Sequence, residues 1–333
     1  MKYKRCAYIF FLSLLIFSGC AREEVVHETR IMMETLVSIK APLRAQRSAR
    51  SAIEESFLKM EETQGVMNRF EKQSEVSRIN NVRPGEKIRL STEMSRILNK
   101  CVELNRISDG AFDITATPLI NLWGDYKEKE ELPTRREIID ALESVGTENI
   151  NLKGNTLYIR HEGVKIDLSG IAKGYVVDEG VKILKERGIK NCLIDAGGDM
   201  YCLGDGPDNK GWHVGIRHPR EDSLIGMLTL NNQAVATSGD YQKFFMVGGK
   251  RFSHIIDPRT GYPVKNNVMS MTVITNDCIM ADGLATALMV LGPVKGLRLA
   301  EELKDVEAIA VTNGRDGLIV NTTSGIKDLY EAR

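Results

Sequence analysis

A change of texture near residue 150 limits the fold more than any other feature of the chain. Before it, apolar residues recur every three or four positions; after it, short β-rich runs alternate with glycine turns. From Arg44 to about Met67, the residues Ala45, Ala49, Ile53, Phe57 and Met60 keep the helical period. A second helix follows from Met94, Ile97, Leu98, Cys101 and Leu104, opened by Ser91-Thr92 and stopped at Asp109-Gly110. Thr134 to Glu137, after Pro133, is a capping box opening a third helix that Gly146 closes. Arg30 to Lys40 reads as one strand.

Beyond the change, Asn151 to Asp167 reads as a meander and Ile171 to about Arg187 as a helix. Strands are expected at Cys192 to Asp195, Trp212 to Arg217, Leu224 to Leu230, Phe244 to Val247 with Arg251 to Ile256, and Met269 to Thr275. A helix pair from about Asp282 to Leu303, broken at Gly292-Pro293, precedes a hairpin over Ala308 to Val320. Helices lead and strands dominate later, which argues for an α+β fold over a doubly wound sheet. No repeat, low-complexity tract or separating linker divides the chain.

The first 20 residues stand apart. Met1 to Arg5 is basic, Ala7 to Gly19 is almost wholly apolar, and Ser18-Gly19 precedes Cys20, the layout of an export signal. An apolar run of about 13 residues falls short of the roughly 20 that span a bilayer. A signal peptide over 1–19 is therefore expected to be cleaved. Phe17-Ser18-Gly19-Cys20 resembles a bacterial lipobox with Phe at its first position, so Cys20 is the expected lipidation site and 20–28 a tether. The rest of the chain would then be anchored to the bilayer through Cys20, facing the periplasm or the cell exterior.

Forty-five Lys+Arg balance 45 Asp+Glu and aromatics make up 6%. No basic surface argues for nucleic acid, and no second apolar stretch argues for a membrane span. Cys101, Cys192, Cys202 and Cys278 have no C-x-x-C spacing, so buried thiols are expected, with a Cys192 to Cys202 disulfide left open.

Several short clusters can carry chemistry. Asp167-Leu-Ser-Gly-Ile-Ala-Lys-Gly174 places a carboxylate, a glycine turn and a lysine at a helix start, either an anion site or a plain turn. Asp282 and Thr286 stand four apart on one helix face. A carboxylate and hydroxyl there suit a hard cation such as Mg²⁺, or else only cap and brace the helix. Ser253 to Gly261 concentrates His254, Asp257 and Arg259 around a turn, able to bind pyrophosphate or move a proton. Asp195 to Asp199 and Ala236 to Asp240 are small-residue corners with carboxylates.

These clusters join further segments in order: Ser74-Glu-Val-Ser-Arg-Ile-Asn80, Asp109-Gly-Ala-Phe-Asp113 and Pro118-Leu-Ile-Asn-Leu-Trp-Gly124. Together they make the sequence resemble the FAD:protein FMN transferases, the ApbE family of flavin-trafficking lipoproteins, from about Met33 to Gly325. The resemblance implies an ApbE-like (T-fold-related) domain over 29–333, mostly antiparallel sheets with flanking helices in two intimately joined lobes. It implies Mg²⁺ held by the Asp282 carboxylate, the Thr286 hydroxyl and the main-chain oxygen of Gly170. FAD, as substrate, would lie against Met33, Phe70, Ala111, Phe112, Asp113, Asp167, Lys173 and Ile256.

The reaction so implied moves FMN from FAD to a Thr or Ser hydroxyl and releases AMP. The partner would be an acceptor flavoprotein of the membrane or periplasm, of the redox-pump subunit type. Given that chemistry, His254 is the candidate catalytic group near the phosphates, with Arg259 second. Two departures stand out: Met33-Glu34-Thr35 replaces the family's Met-Gly-Thr, and Phe70 replaces a Tyr. An FAD pyrophosphatase is the nearest rival, and an FAD-binding lipoprotein without turnover the next.

Overall fold

The structure, a computed structural model, describes residues 25–42, 46–129, 131–240, 244–247, 249–315 and 317–332. The expected signal and Cys20 lie outside the described residues. Residues 25–28 of the expected tether are strand instead. β1 (Val25–Met32) pairs antiparallel with β2 (Thr35–Pro42), so Arg30 to Lys40 is most of a hairpin and not one strand. Its two-residue turn holds Met33 at φ 49° and Glu34 at φ 58°. That mirror-image turn matches strand twist and is ordinarily written Asn-Gly, a signal this sequence lacks. A left-handed Glu34 costs about 1–2 kcal/mol, which Gly would avoid.

α1 (Gln46–Met67), α2 (Glu75–Asn80), β3 (Lys87–Arg89), α3 (Thr92–Ile107), α4 (Thr117–Lys129) and α5 (Arg135–Leu142) follow. Ser91 Oγ accepts from Met94 N (3.0 Å) to open α3, and the Thr134–Glu137 capping box opens α5, as expected. α2 and α4 fall in segments the sequence marked only as motifs. Six residues of α2, capped by Ser74, are too few to display a period. β4 (Ile150–Lys153) and β5 (Thr156–Ile159) form the expected meander, and β3 completes their sheet.

α6 (Ala172–Glu186), β6 (Cys192–Ala196), β7 (Asp199–Leu203), β8 (Trp212–Arg217), β9 (Leu224–Leu230) and β10 (Gln233–Gly239) come next. They lead to β11 (Phe244–Val247), β12 (Lys250–Ser253), β13 (Ile256–Asp257), β14 (Tyr262–Pro263) and β15 (Val268–Thr275). α7 (Cys278–Glu302), β16 (Glu307–Asn313), β17 (Leu318–Thr322) and β18 (Tyr330–Ala332) close the chain. β7 and β10 overlap the two small-residue corners, whose Asp, Gly and Ser content hid them.

Eight strands form one sheet in the order β1-β2-β6-β7-β10-β15-β16-β17. Every pairing among the described residues is antiparallel, and the fold is α+β. Alternation along the strands sorts side chains between two cores. Cys192, Ile194, Ala234, Ala236, Met271, Val273, Ala308 and Ala310 face the α1, α6 and α7 layer. Leu193, Cys202, Val235, Ile274, Ile309 and Val311 face the small β8-β9-β18 sheet. Cys192 and Cys202 thus lie on opposite faces as buried free thiols, each pushed up to about 12 by burial, and the disulfide left open by sequence does not form.

α7 is broken at Gly292 (φ 79°, ψ 176°) before Pro293, where the sequence placed the break. By length and composition it could cross a membrane, contrary to the expectation that no second segment would, yet it lies mostly buried against the sheet. Its first turn meets α6 at Gly174, where a Cβ would lie 2.3 Å from the Cys278 carbonyl oxygen. The two N-terminal amides of α7, on Cys278 and Ile279, donate to Asp178 of α6 at 2.8 and 2.9 Å. Burial pushes the Asp178 carboxyl up to about 7 against the pull of those amides. Because the clash at Gly174 is with backbone, Gly174→Ala should cost at least the upper end of the 1–3 kcal/mol typical of overpacking, measured as a lowered urea midpoint. Parental stability would mean that the helices separate freely.

Candidate functional site

A cavity of about 300 Å³ opens where the N-terminus of α6, the first half of α7, the end of β10 and the loop after α3 converge. The loop is built by left-handed Asp109 and Gly110 (φ 51° and 73°), which turn the chain back at the end of α3. Ser108 Oγ accepts from Phe112 N (3.0 Å), and Asn105 Nδ2 donates to Phe112 O (2.9 Å) and Asp113 Oδ2 (3.0 Å). Asp113 Oδ1 accepts from Thr115 N and Oγ1 at 2.8 and 2.5 Å. Asp113 therefore lines the cavity with its oxygens already engaged in shaping the loop. Burial nonetheless raises its carboxyl above the usual range.

Asp167 is set by a different device. The Asn80 side-chain amide both accepts from Ile166 N (2.7 Å) and donates to Ile166 O (2.9 Å), as a strand neighbour would. Asp167 N then donates to Ile114 O (2.8 Å), tying the two walls together. The segment was expected to be a strand end; these side-chain and loop bonds replace the ladder. Asp167 Oδ1 accepts from Ser169 N (2.8 Å) and Oδ2 stands 3.1 Å from Arg69 Nε.

At the floor are two buried carboxyls and one lysine. Lys173 Nζ lies 2.6 Å from Asp199 Oδ2, and Asp282 Oδ2 accepts from Gly174 N at 3.1 Å. Burial first, and Asp199 beside it second, push Asp282 well above the carboxylate range. Burial alone would depress Lys173, but Asp282 and Asp199 outweigh it and raise the ammonium above its usual value. Lys173 and the α6 N-terminus are thus partly committed within the protein, where the sequence offered both to an anion. Thr286 Oγ1 is 3.4 Å from Ser238 Oγ and 3.8 Å from where a Cβ on Gly170 would sit.

The donor set fits a hard cation. Two buried carboxyls against one ammonium leave an excess of negative charge when both ionise, and Gly170 and Thr286 line the same cavity as Asp282. Among the described residues no three His, Cys, Asp or Glu side chains form a metal cage. A cation here would take Asp282, Thr286 and the Gly170 oxygen and keep positions for phosphate or water, the habit of Mg²⁺.

Of the residues singled out by sequence, Ala111, Phe112, Asp113, Asp167, Gly170, Lys173, His254, Ile256, Asp282 and Thr286 line this cavity. His254 is exposed on its wall. A small cluster of Leu119, Trp123 and Ile138, with Phe252 and Ile256 packed on it, places the 252–261 segment, and Trp123 Nε1 donates to Gly261 O (2.8 Å). Arg259 does not line the cavity, because its fork is held by Asp257 at 2.8 and 2.8 Å. Met33 and Phe70 are not lining residues either. Met33 packs partly on the main core. Phe70 is 79% exposed, with the Arg69 guanidinium 4.6 Å from its ring centre. Arg69, Asn105, Ser108, Asp199 and Ser238 were missed as functional side chains; Asp199 and Ser238 sat inside corners that carried no role.

An α+β protein with a carboxyl-lined cleft at paired helix starts is the class that fold and site define. The model described as ApbE family matches residues 33–310, and the chain belongs to that family. A FAD:protein FMN transferase of Vibrio cholerae is 34% identical over 321 residues, 95% of this chain and 96% of that one. The Haemophilus influenzae protein of the same name is 34% identical over 284 residues, 82% of each. Among solved structures, the flavin transferase ApbE of Vibrio cholerae aligns with a TM-score of 0.83 at 32% identity, over 92% of this chain and 99% of that one. The ApbE protein of Thermotoga maritima gives 0.82 at 30% identity, over 91% and 98%.

Removing Lys173 would strand two neighbouring buried carboxyls. Lys173→Met is expected to lower stability by about 3 kcal/mol at pH 7, read by urea denaturation. No change would mean that Asp199 is satisfied without it.

Proposed function

We propose that this protein moves the FMN portion of FAD to a hydroxyl on an acceptor protein and releases AMP. The observation that carries the reading is convergence. Asp282, Thr286 and Gly170 meet Asp167, Lys173 and the Ala111 to Asp113 loop in one cavity, in a chain whose relatives bear that activity in their names. Phe70 adds to it. Its exposed ring carries the Arg69 guanidinium, which in turn reaches Asp167 on the cavity wall. Such a face suits a flat heteroaromatic ring even without the tyrosine hydroxyl.

In the transfer step, the acceptor oxygen forms a bond to the FMN-side phosphorus. The bond from that phosphorus to the bridging oxygen breaks, and AMP leaves with the oxygen and the electron pair. Mg²⁺, when held by Asp282, Thr286 and the Gly170 oxygen, supplies charge neutralisation at the phosphates. Lys173, fixed by Asp199, keeps a positive charge at the floor. His254, which lines the wall, takes the hydroxyl proton. The acceptor is a Thr or Ser in an exported or membrane flavoprotein.

The location follows from the leader. Cys20 stands five residues before Val25, the first strand residue, so at most about 18 Å of chain separates a lipid there from the fold. Cys20→Ser should shift the protein from the membrane to the soluble fraction, and unchanged membrane retention would remove the anchor.

Incubation with FAD, Mg²⁺ and a candidate acceptor should leave flavin fluorescence on the acceptor after denaturing electrophoresis. Asp282→Ala should lower that labelling at least a hundredfold. Parental labelling by the variant would overturn the metal assignment, and free FMN with an unlabelled acceptor would make the protein a hydrolase.

A further inference from the structure

α7 carries Asp282 and Thr286 four and eight residues into the helix, yet its own first turn supplies no side-chain cap. Asp277 occupies the N-cap position in an extended conformation (φ −121°, ψ 135°) and makes no capping bond. The first two amides, on Cys278 and Ile279, donate instead to the two oxygens of Asp178, a half-buried carboxylate on α6 outside the cavity. α6 is uncapped in the same way, since the Ile171 side chain has no acceptor, and its Gly174 amide donates to Asp282 of α7. Each helix thus caps the other. Gly174 lets the two backbones touch between these bonds.

The consequence is positional. Gly170 precedes α6 by two residues, whereas Asp282 and Thr286 belong to α7, so the oxygen donors sit on two bodies. Core packing holds the two bodies together, and the bonds crossing the pair fix their register at the helix starts. With a rise of 1.5 Å per residue, Asp282 is only about 6 Å along the axis from the capped turn. A slip of the first turn would reach Asp282 undiminished. A local cap could satisfy the same amides without holding α7 to α6, and Asp277, of a capping residue type, goes unused for it.

We infer that Asp178 is a positioning residue for the transfer reaction: its two bonds to the start of α7 fix Asp282 and Thr286 against the Gly170 oxygen and so set divalent-cation affinity. This rests on the metal reading above. Loss of such an outer partner typically weakens a metal site 10- to 100-fold.

The test uses the full chain and its Asp178→Ala, Asp178→Asn and Asp282→Ala variants. Mn²⁺ binding is followed by electron paramagnetic resonance, alongside the Mg²⁺ concentration for half-maximal transfer, FAD binding in chelator and the thermal midpoint. With Asp277 available to the vacated amides, Asp178→Ala is expected to fold. Asp178→Asn keeps the shape if it does not. The expected result is a Mn²⁺ dissociation constant and a half-maximal Mg²⁺ concentration raised tenfold or more in both Asp178 variants. FAD binding in chelator should stay within twofold of the parent. Parental cation affinity in either folded Asp178 variant, with binding lost in Asp282→Ala, would overturn this inference alone. Mn²⁺ binding retained by Asp282→Ala would overturn the metal reading and this inference with it.

Discussion

The contact on which the rest depends is backbone against backbone, where α6 meets the start of α7 at Gly174. A side chain there would lie 2.3 Å from the Cys278 carbonyl. The closeness lets a carboxylate on either helix reach the other's first-turn amides, as Asp178 and Asp282 do. Helix starts that face one another would normally repel as positive dipole ends. Here acceptor oxygens from the opposite helix meet them, and the same closeness places Lys173 beside Asp199 and Asp282. The sheet supplies the platform. Ala234, Ala236, Ala308 and Ala310 on its helix-facing side let the helices settle close to the strands.

Much of this was legible in the sequence, and the reasons differ by element. α3 and α5 were readable because their caps are local, written by Ser91 and by Thr134 with Glu137. α6 and α7 carry no local caps, so no start signal announced them, and α7 begins at Cys278, four residues before the expected Asp282. The β1 to β2 turn was invisible because Met33 and Glu34 take a conformation that other sequences spell with glycine. β7 and β10 were hidden because their Asp, Ser and Gly residues serve the cavity and not strand propensity.

The site was legible as a set and not as a geometry. Spacing on one helix paired Asp282 with Thr286, but nothing local joins either to Gly170 or to Asp199, more than eighty residues away in sequence. Lys173 and Asp113 show the complementary point. Both looked available to a ligand, and both are engaged by neighbours from other segments, Asp199 in one case and Asn105 with Thr115 in the other. Residue type told what chemistry was present; folding decided how much of it was already spoken for.

The interruption of α7 has a mechanical meaning. Gly292 leaves helical geometry and Pro293 brings no N–H, so the hydrogen-bond ladder does not run through, and Asn266 Nδ2 instead donates to Met289 O (2.8 Å) just before the break. An unbroken rod would carry a twist from just beyond the break, where Val294 is 71% accessible, straight to Asp282. The segment bearing the oxygen donors is in effect a short piece bound to α6 at its start and cut off at Gly292 from the ladder of the second half.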